Sequence, residues 1–267
     1  MDSTSFDFQG IPVHCLTGGS GFPVLMIHGS GPGASTIGNW RKVLAPLADR
    51  YQIFAMDLIG FGESGRKPAP PYFDMDLWLA QCQAMLARMP GEEVGVIGHS
   101  ISGALGLKLA AVEPRIAKVM TTGCMGSVFV PNPATLTTWT FPRDREALKQ
   151  AAANLIHDKR LIDDAYIANR EAVLFSGDYE AYFGQMFEGD KRRFIDAAAL
   201  SAQELGRITC DVLMVHGRND LAFPPELTQT LSASLPQADV VLLGQCAHSV
   251  AFERPDTFVQ LATGFFG

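Results

Sequence analysis

Residues 94–112 read VGVIGHSISGALGLKLAAV, and this stretch decides the fold. The apolar run VGVIG is typical of a strand buried on both faces of a sheet, and ISGALGLKLAAV has the composition of a helix. Between them, GHSIS at 98–102 places a serine at a strand-to-helix turn with small residues two positions before and after it. This context predicts that Ser100 is a nucleophile at the positive end of a helix. The alternative is an ordinary helix N-cap.

Five further apolar runs resemble this strand. They are aliphatic or β-branched, end in Gly, His or Asp, and occupy 23–29, 51–57, 116–123, 211–217 and 239–244. Helical patterns lie between or beside them at about 40–50, 76–89, 100–113 and 255–266. Alternation of strand and helix predicts an α/β fold with a mostly parallel central sheet, flanked by helices and joined by right-handed crossovers.

The alternation breaks in the middle of the chain. Helical stretches follow one another at about 144–157, 160–174, 178–187 and 190–203, without a strand-like run among them. We therefore expect a helical lid at 129–206, inserted between two parts of the core at 1–128 and 207–267. About 80 residues of short helices need another surface to bury against, so the lid is not expected to fold as an independent domain. Five of its aromatic residues are expected mainly to pack against the core, with a minority lining an apolar pocket: Phe129, Trp139, Phe141, Phe175 and Phe183.

Composition excludes several classes of protein. Hydrophobic residues make up 47% of the 267 residues, which argues against a disordered chain. The net charge of −7 argues against nucleic acid or an anionic membrane as the main partner. No apolar run reaches the roughly 18 residues of a membrane span, and the polar N-terminus does not resemble a secretory signal. The five cysteines are widely spread and include no CxxC pair, so we expect reduced thiols in a cytoplasmic protein and no metal site.

A serine nucleophile needs a base and a residue that orients the base. Among six histidines, His248 alone follows the last predicted strand, at the sheet edge where ligands of open α/β folds bind. His28 and His216 end buried runs and are expected to be structural. Asp220 follows the run 211–217 and precedes His248, as the chain order Ser, Asp, His requires. Asp57 is the second candidate for the carboxylate, although it precedes the serine.

The sequence HGSGPGAS at 28–35, called the oxyanion loop below, follows an early strand. It has neither the Lys-Ser/Thr ending of a phosphate-binding P-loop nor a GxGxxG pattern, and no organic cofactor is expected. In serine hydrolases with a strand-turn-helix nucleophile, such a loop supplies one backbone N–H to the oxyanion and the residue after the nucleophile supplies the other. These donors are expected to be Ser30 or Gly31, together with Ile101.

Several stretches resemble the α/β-hydrolase superfamily and, more narrowly, the meta-cleavage product hydrolases. They extend over essentially the whole chain: MIHGSGPGAS, NWRKVLAPLADRYQIFAMDLIGFGES, GHSISG, MVHGRND and LGQCAHSVAFERPDTF. Members of that family hydrolyse a carbon–carbon bond in 2-hydroxy-6-oxo-dienoates, which arise from ring cleavage of catechols. HGSGPGAS followed by Asn-Trp is much more specific than the serine motif alone.

The resemblance implies roles for individual residues. Ser100, Asp220 and His248 match the catalytic triad, and Ser30, Gly31 and Ile101 match the oxyanion region. Two further residues match polar groups that hold the dienoate: Asn39, and Arg170 within AYIANREAV.

Two pocket positions depart from the family. The residue before the nucleophile is usually Asn and is His99 here, and the residue after the catalytic histidine is usually Trp and is Ser249 here. Both are expected to contact the substrate. These changes affect the expected substrate rather than the serine-hydrolase chemistry.

Three functions therefore remain open. Cleavage of a carbon–carbon bond in a dienoate, with side activity on esters, is the preferred interpretation; a carboxylesterase or lactonase with the same triad is the alternative. A ligand receptor on a hydrolase scaffold is a third, because fold alone does not determine function. The expected partner is a small molecule, and the sequence does not decide between a monomer and a homodimer.

Overall fold

A single eight-stranded sheet runs through the protein, and the computed structural model describes residues 1–267. In chain order the strands are β1 (Asp2–Phe8), β2 (Ile11–Gly18), β3 (Pro23–Ile27), β4 (Gln52–Met56), β5 (Val94–His99), β6 (Ile116–Thr122), β7 (Asp211–Gly217) and β8 (Ala238–Leu243). Across the sheet their order is β1-β2-β4-β3-β5-β6-β7-β8. The β1–β2 and β2–β4 pairs are antiparallel and the other five are parallel. The predicted mostly parallel sheet is confirmed.

Thirteen α-helices accompany the sheet. They are α1 (Thr36–Trp40), α2 (Leu44–Ala48), α3 (Met75–Leu86), α4 (Ile101–Ala110), α5 (Pro133–Thr138), α6 (Arg145–Leu155), α7 (Asp164–Leu174), α8 (Tyr179–Met186), α9 (Arg192–Ala198), α10 (Ala202–Leu205), α11 (Glu226–Ser232), α12 (Val250–Glu253) and α13 (Pro255–Phe266). A 3₁₀ turn at Lys159–Leu161 precedes α7. None of the helices combines the length and the apolar composition that crossing a lipid bilayer requires.

Several elements differ from the sequence-based expectation. Strand β1 was not indicated, because its sequence DSTSFDF is polar and it is an edge strand that pairs only with β2. The helix expected at 40–50 is observed only as the shorter α2. A separate helix, α1, ends at Trp40, and Pro46 has no N–H with which to continue a helix from there. The stretch expected at 190–203 is divided into α9 and α10, where Ser201 and Glu204 form a capping box that starts a new turn.

Helices α5 to α10 lie between β6 and β7, within the segment 129–206. Their buried apolar residues, such as Ile167 and Phe194, belong to the same apolar cluster as Val96 and Met214 of the central strands. A second apolar cluster covers the opposite face of the sheet. The helical segment therefore shares its core with the sheet. The domain boundaries at 128/129 and 206/207 stay a prediction.

Five polar residues follow the carboxyl ends of the parallel strands. His28 follows β3, Asp57 follows β4, Ser100 follows β5, Asp220 follows β7 and His248 follows β8. Parallel strands end at one edge of a sheet, so these side chains are brought to the same side of the molecule. All five residues are buried.

Candidate active site

Ser100 occupies a strained turn between β5 and α4. Its backbone angles are φ +60° and ψ −123°, a region that side-chain-bearing residues rarely adopt. Its N–H donates to the Thr122 carbonyl at 2.9 Å, which holds the turn against the next strand. The Ser100 hydroxyl makes no capping hydrogen bond to α4, so it does not serve as an N-cap side chain.

The small residues around the serine have two different functions. A Cβ on Gly98 would lie 2.1 Å from the Ser102 carbonyl oxygen, so a side chain at position 98 would disrupt the turn. Ser102, where the motif usually has glycine, donates its hydroxyl to the His28 carbonyl at 2.5 Å. This bond attaches the start of the oxyanion loop to α4. A Cβ on Gly29 would lie 3.2 Å from Ser100 Cβ, so the loop passes directly beside the serine.

Asp220 is a buried carboxylate that accepts four hydrogen bonds. Its donors are His248 Nδ1 at 2.6 Å, His216 Nε2 at 3.1 Å and the backbone N–H groups of Ala222 at 3.1 Å and Phe223 at 2.9 Å. Burial alone would raise the pKa of Asp220, but the charge and hydrogen bonds of His248 and His216 lower it far below its usual value. The carboxylate is therefore ionised and can stabilise a cationic His248.

The hydrogen bonds also determine the tautomers of the two histidines. His248 Nδ1 faces a carboxylate and carries a proton, which leaves Nε2 of the neutral ring free to accept one. His216 Nε2 faces two acceptors, Asp220 and the Phe223 carbonyl at 2.8 Å, so it carries a proton as well. His216 Nδ1 shares a hydrogen bond of 2.7 Å with the Thr228 hydroxyl. His216 thus donates to Asp220 and orients it, a function that sequence reasoning missed.

Ser100 and His248 line the same cavity, which has a volume of about 40 Å³. No hydrogen bond joins the serine hydroxyl to His248 Nε2, and the side-chain hydrogen bond of His248 goes to Asp220. The cavity also borders Ser30 and Gly31 of the oxyanion loop. The structure thus brings the predicted nucleophile, base and oxyanion loop together; their catalytic roles stay predictions.

The predicted oxyanion donors have unoccupied N–H groups. The backbone N–H groups of Ser30 and Gly31 make no hydrogen bond within the protein. Ile101 is the first residue of α4, where a backbone N–H has no acceptor inside its own helix. Three donors near Ser100 are therefore available to a ligand oxygen.

All four residues predicted to contact the substrate line the cavity beside Ser100. They are Asn39, His99, Arg170 and Ser249, and the same four also line an adjoining cavity of about 20 Å³. By volume the two cavities hold only a few water molecules. None of the five lid aromatics considered above borders the cavity beside Ser100. Most of its lining is polar, and its two apolar residues are Ala34 and Leu155.

Arg170 extends from α7 to the oxyanion loop. Its Nη1 donates to the Pro32 carbonyl at 2.9 Å, and its guanidinium carbon lies 5.3 Å from the centre of the Tyr166 ring. No carboxylate of the protein lies within ion-pair distance of this guanidinium. Arg170 therefore presents an uncompensated positive charge at the cavity, which suits it to an anionic ligand.

His99 is a buried neutral histidine beside the triad candidates. Its Nδ1 contacts the Thr122 carbonyl at 3.1 Å and the Thr122 hydroxyl at 3.0 Å, and its ring centre lies 4.6 Å from that of His248. Burial and the neighbouring His248 keep the pKa of His99 well below its usual value. His99 Nδ1 donates to the Thr122 carbonyl, and Nε2 has no partner within the protein. His99 thus offers the cavity a hydrogen-bond acceptor.

Asp57, the second candidate for the carboxylate, does not contact His248. Its oxygens accept from the backbone N–H groups of Thr36 at 2.6 Å and Glu63 at 2.9 Å and from His14 Nδ1 at 2.9 Å. These bonds connect the start of α1 and the turn after β4 to strand β2. Asp57 therefore organises loops, and the structure places Asp220 rather than Asp57 on His248.

The protein contains no group of three or more His, Cys, Asp or Glu side chains that could hold a metal ion. All five cysteines are free. Burial raises the pKa of the Cys124 thiol to about 12, so this thiol, although close to α4, is not a nucleophile at neutral pH.

A family model described as alpha/beta hydrolase fold matches residues 23–255. Among curated proteins, 2-hydroxymuconate semialdehyde hydrolase from Pseudomonas sp. (strain CF600) is 28% identical over 257 residues, which cover 96% of this chain and 90% of that protein. The enzyme 2-hydroxy-6-oxo-2,4-heptadienoate hydrolase from Pseudomonas putida F1 is also 28% identical over 257 residues, covering 96% of this chain and 93% of that protein. The resemblance to meta-cleavage product hydrolases is confirmed.

Solved structures show the same similarity in three dimensions. A serine-to-alanine mutant of the meta-cleavage product hydrolase from Pseudomonas fluorescens IP01, complexed with acetates, superposes with a TM-score of 0.94 at 26% identity. The superposition covers 98% of this chain and 97% of that one. The similarity thus includes the helices between β6 and β7 as well as the sheet.

Proposed function

The chain belongs to the α/β hydrolase fold family of hydrolases, and we propose that it is a serine hydrolase that cleaves a carbon–carbon bond in 2-hydroxy-6-oxo-dienoates. One observation carries this proposal: the cavity beside Ser100 and His248 also contains Arg170 and Asn39. A nucleophile and a carboxylate-binding group in one small cavity suit a substrate that carries both an aldehyde or ketone carbonyl and a carboxylate. Two relatives are named for substrates of this kind, and both are 28% identical to this chain.

In the proposed reaction, the Ser100 hydroxyl loses its proton and its oxygen attacks the C6 carbonyl carbon of the substrate. His248 Nε2 takes the proton, and Asp220 stabilises the resulting cation through the bond at 2.6 Å. The attacked C6 carbonyl oxygen becomes negatively charged and accepts from the N–H groups of Ile101 and of Ser30 or Gly31. Removing one such donor typically costs about 3–4 kcal/mol of transition-state stabilisation.

The carbon–carbon bond breaks only if the departing carbon can accept its electrons. We therefore propose that the dienol first tautomerises to a ketone and that C5 receives a proton in this step, with His248 moving the proton. Cleavage of the C5–C6 bond then releases the dienol, which takes the proton held by His248, and leaves C6 as an ester of Ser100. One water molecule hydrolyses this ester, which releases the carboxylic acid and restores the Ser100 hydroxyl, and neither oxidation nor reduction occurs.

Arg170 and Asn39 are proposed to hold the 2-hydroxy-dienoate end. A carboxylate that enters a buried cavity without a partner is unfavourable, and a planar guanidinium can bind its two oxygens simultaneously. The segment 129–206 is proposed to act as a lid, since Arg170 on α7 and Leu155 on α6 both line the cavity. The free cysteines favour the cytoplasm as the compartment.

Ester or lactone hydrolysis is the second candidate, and two residues favour it. His99 and Ser249 occupy positions where the resembled family has Asn and Trp, and both line the cavity. The same triad and oxyanion donors would serve an ester without the tautomerisation step.

Parallel assays on the purified protein separate the two candidates. Bleaching of a yellow 2-hydroxy-6-oxo-dienoate is expected to proceed with a kcat/KM at least tenfold above that for p-nitrophenyl acetate, with EDTA leaving both rates unchanged. Turnover of the ester without bleaching would reject carbon–carbon cleavage and establish the second candidate. Binding of the dienoate without turnover of either compound would reject both.

A further inference from the structure

Three side chains from outside the oxyanion loop donate hydrogen bonds to it. At its start, the Ser102 hydroxyl of the core helix α4 donates to the His28 carbonyl. In its middle, the indole Nε1 of Trp139 donates to Ser30 Oγ at 3.1 Å, and Arg170 donates to the Pro32 carbonyl. Trp139 and Arg170 both belong to the segment 129–206. The part of the loop that carries the oxyanion donors is therefore held by the proposed lid.

Trp139 is placed so that its N–H has one clear partner. The side chain is only 1% exposed and lies just after α5, packed against the rings of Phe187, Phe194 and Phe223. Those three rings offer the indole N–H no acceptor oxygen. A buried donor without a partner is costly, so the bond to Ser30 is strongly favoured.

Ser30 depends on this bond in turn. Its hydroxyl has Trp139 as its one hydrogen-bond partner, and the residue is 2% exposed. The same residue carries one of the unoccupied backbone N–H groups beside Ser100. Oxyanion donors act only over a narrow range of distances, and a displacement of about 1 Å can cost on the order of a hundredfold in rate.

We propose that Trp139 is a positioning residue for the reaction: its indole N–H holds Ser30, and with it the oxyanion donors, in catalytic geometry. The lid then contributes to the rate of the chemical step as well as to substrate binding. This inference rests on the proposed serine-hydrolase function and assigns the lid a role in it that does not depend on the substrate's carboxylate.

The variant Trp139→Phe tests the proposal, because it keeps an aromatic ring in the cluster and removes the donor. We expect kcat to fall on the order of ten- to a hundredfold with KM changed less than threefold. The fall should be equal for a dienoate and for p-nitrophenyl acetate, since both reactions develop an oxyanion. Phe187→Leu is the matched control: it alters the same cluster without touching the loop, so it should lower Tm while kcat stays within twofold of the wild-type value.

Ser30→Ala removes the acceptor instead of the donor. It is expected to lower kcat to a similar extent, and the double variant should be no slower than either single variant, because all three lack the same bond. If Trp139→Phe does not fold, Ser30→Ala alone measures this bond. The proposal is overturned if kcat for Trp139→Phe stays within twofold of the wild-type value. If only Ser30→Ala folds, the same criterion applies to that variant. Additive losses of kcat in the double variant would also overturn the proposal. An inactive wild-type protein, or full activity in Ser100→Ala, would overturn the proposed function and this inference together.

Discussion

Two buried carboxylates each bind a histidine Nδ1 in this protein: Asp220 binds His248 at 2.6 Å and Asp57 binds His14 at 2.9 Å. Each pair also has a serine nearby. His248 lines the cavity that contains Ser100, and His14 Nε2 lies 3.1 Å from the Ser3 hydroxyl. By side-chain chemistry alone, the second cluster resembles a catalytic triad as closely as the first.

The surroundings of the two serines differ. Ser100 sits at a strained turn before a helix, next to free backbone N–H groups and a cavity. Ser3 lies within the regular edge strand β1. Besides its bond to His14, Asp57 accepts hydrogen bonds from the backbone N–H groups of Thr36 and Glu63. The comparison teaches that a Ser-His-Asp contact chain becomes a candidate active site only together with an oxyanion site and space for a ligand.

The two serines should respond in opposite ways to removal of the hydroxyl. Ser100→Ala is expected to lower kcat by at least a thousandfold while substrate binding persists, because the nucleophile is lost and the cavity keeps its shape. Ser3→Ala should leave kcat within twofold of wild type. Steady-state kinetics on the dienoate and on p-nitrophenyl acetate check both. A tenth of the activity remaining in Ser100→Ala would reject the assignment.

Replacing the two carboxylates should have different effects, one on catalysis and the other on stability. Asp220→Asn is expected to lower kcat by on the order of ten-thousandfold, since an amide no longer stabilises the protonated His248 or fixes its tautomer. Asp57→Asn should affect kcat far less and mainly lower Tm, because its partners are loop N–H groups. Measuring kcat and Tm for both variants shows whether Asp220 acts mainly in catalysis and Asp57 mainly in stability. A larger kcat loss in Asp57→Asn would reverse the roles of the two clusters.

The cavity that contains Ser100 and His248 should favour anionic substrates, because Arg170 lines it. No such preference is expected at the Asp57 cluster. Arg170→Ala is expected to lower kcat/KM for a dienoate on the order of a hundredfold, about 3 kcal/mol, while a neutral p-nitrophenyl ester loses much less. Arg170→Lys should recover only part of the loss, because an ammonium group cannot bind both carboxylate oxygens in the same way.

Arg160→Ala serves as the control, since this exposed arginine pairs with Asp158 and does not line the cavity beside Ser100. Its kinetics on both substrates should match those of the wild type. Equal losses on both substrates in Arg170→Ala would instead indicate that the contact with Pro32 dominates.

The contribution of Asp57 to the free energy of unfolding should depend on pH. Burial alone would raise its pKa, but His28, the N–H groups of Thr36 and Glu63 and the bond to His14 lower it below the usual value. A carboxylate with a depressed folded-state pKa stabilises the protein above its unfolded-state pKa, and this contribution is lost as the pH falls through the folded-state value. At pH 7, Asp57→Asn should therefore lower the free energy of unfolding by about 1–3 kcal/mol.

The difference between Asp57→Asn and wild type should shrink below about pH 4. Urea unfolding of both proteins at pH 7, 5 and 3 checks the trend. A difference that stays constant over this range would show that Asp57 is not the titrating group.

Local sequence was sufficient for much of the fold and of the candidate site. The buried strands could be predicted because parallel strands covered on both faces are continuous apolar runs, and Ser100 because its motif is a strand, a turn and a helix in sequence. Asp220 and His248 could be predicted because strand ends in a parallel sheet meet at one edge. Strand β1 escaped prediction because its pairing with β2, rather than its polar sequence, makes it a strand.

Tertiary structure decided how these residues are used. The bonds from Ser102 to His28 and from Trp139 to Ser30 join residues 74 and 109 positions apart, and hydrophobic patterns do not encode such pairings. The same holds for His216, which the sequence placed in a buried strand and the structure places on Asp220. Sequence thus determined which residues reach the carboxyl-terminal edge of the sheet, because backbone periodicity and motif spacing are local. Only the packed molecule determined which carboxylate contacts His248, what holds the oxyanion loop and how little space is left beside Ser100, because side-chain contacts across the chain set these.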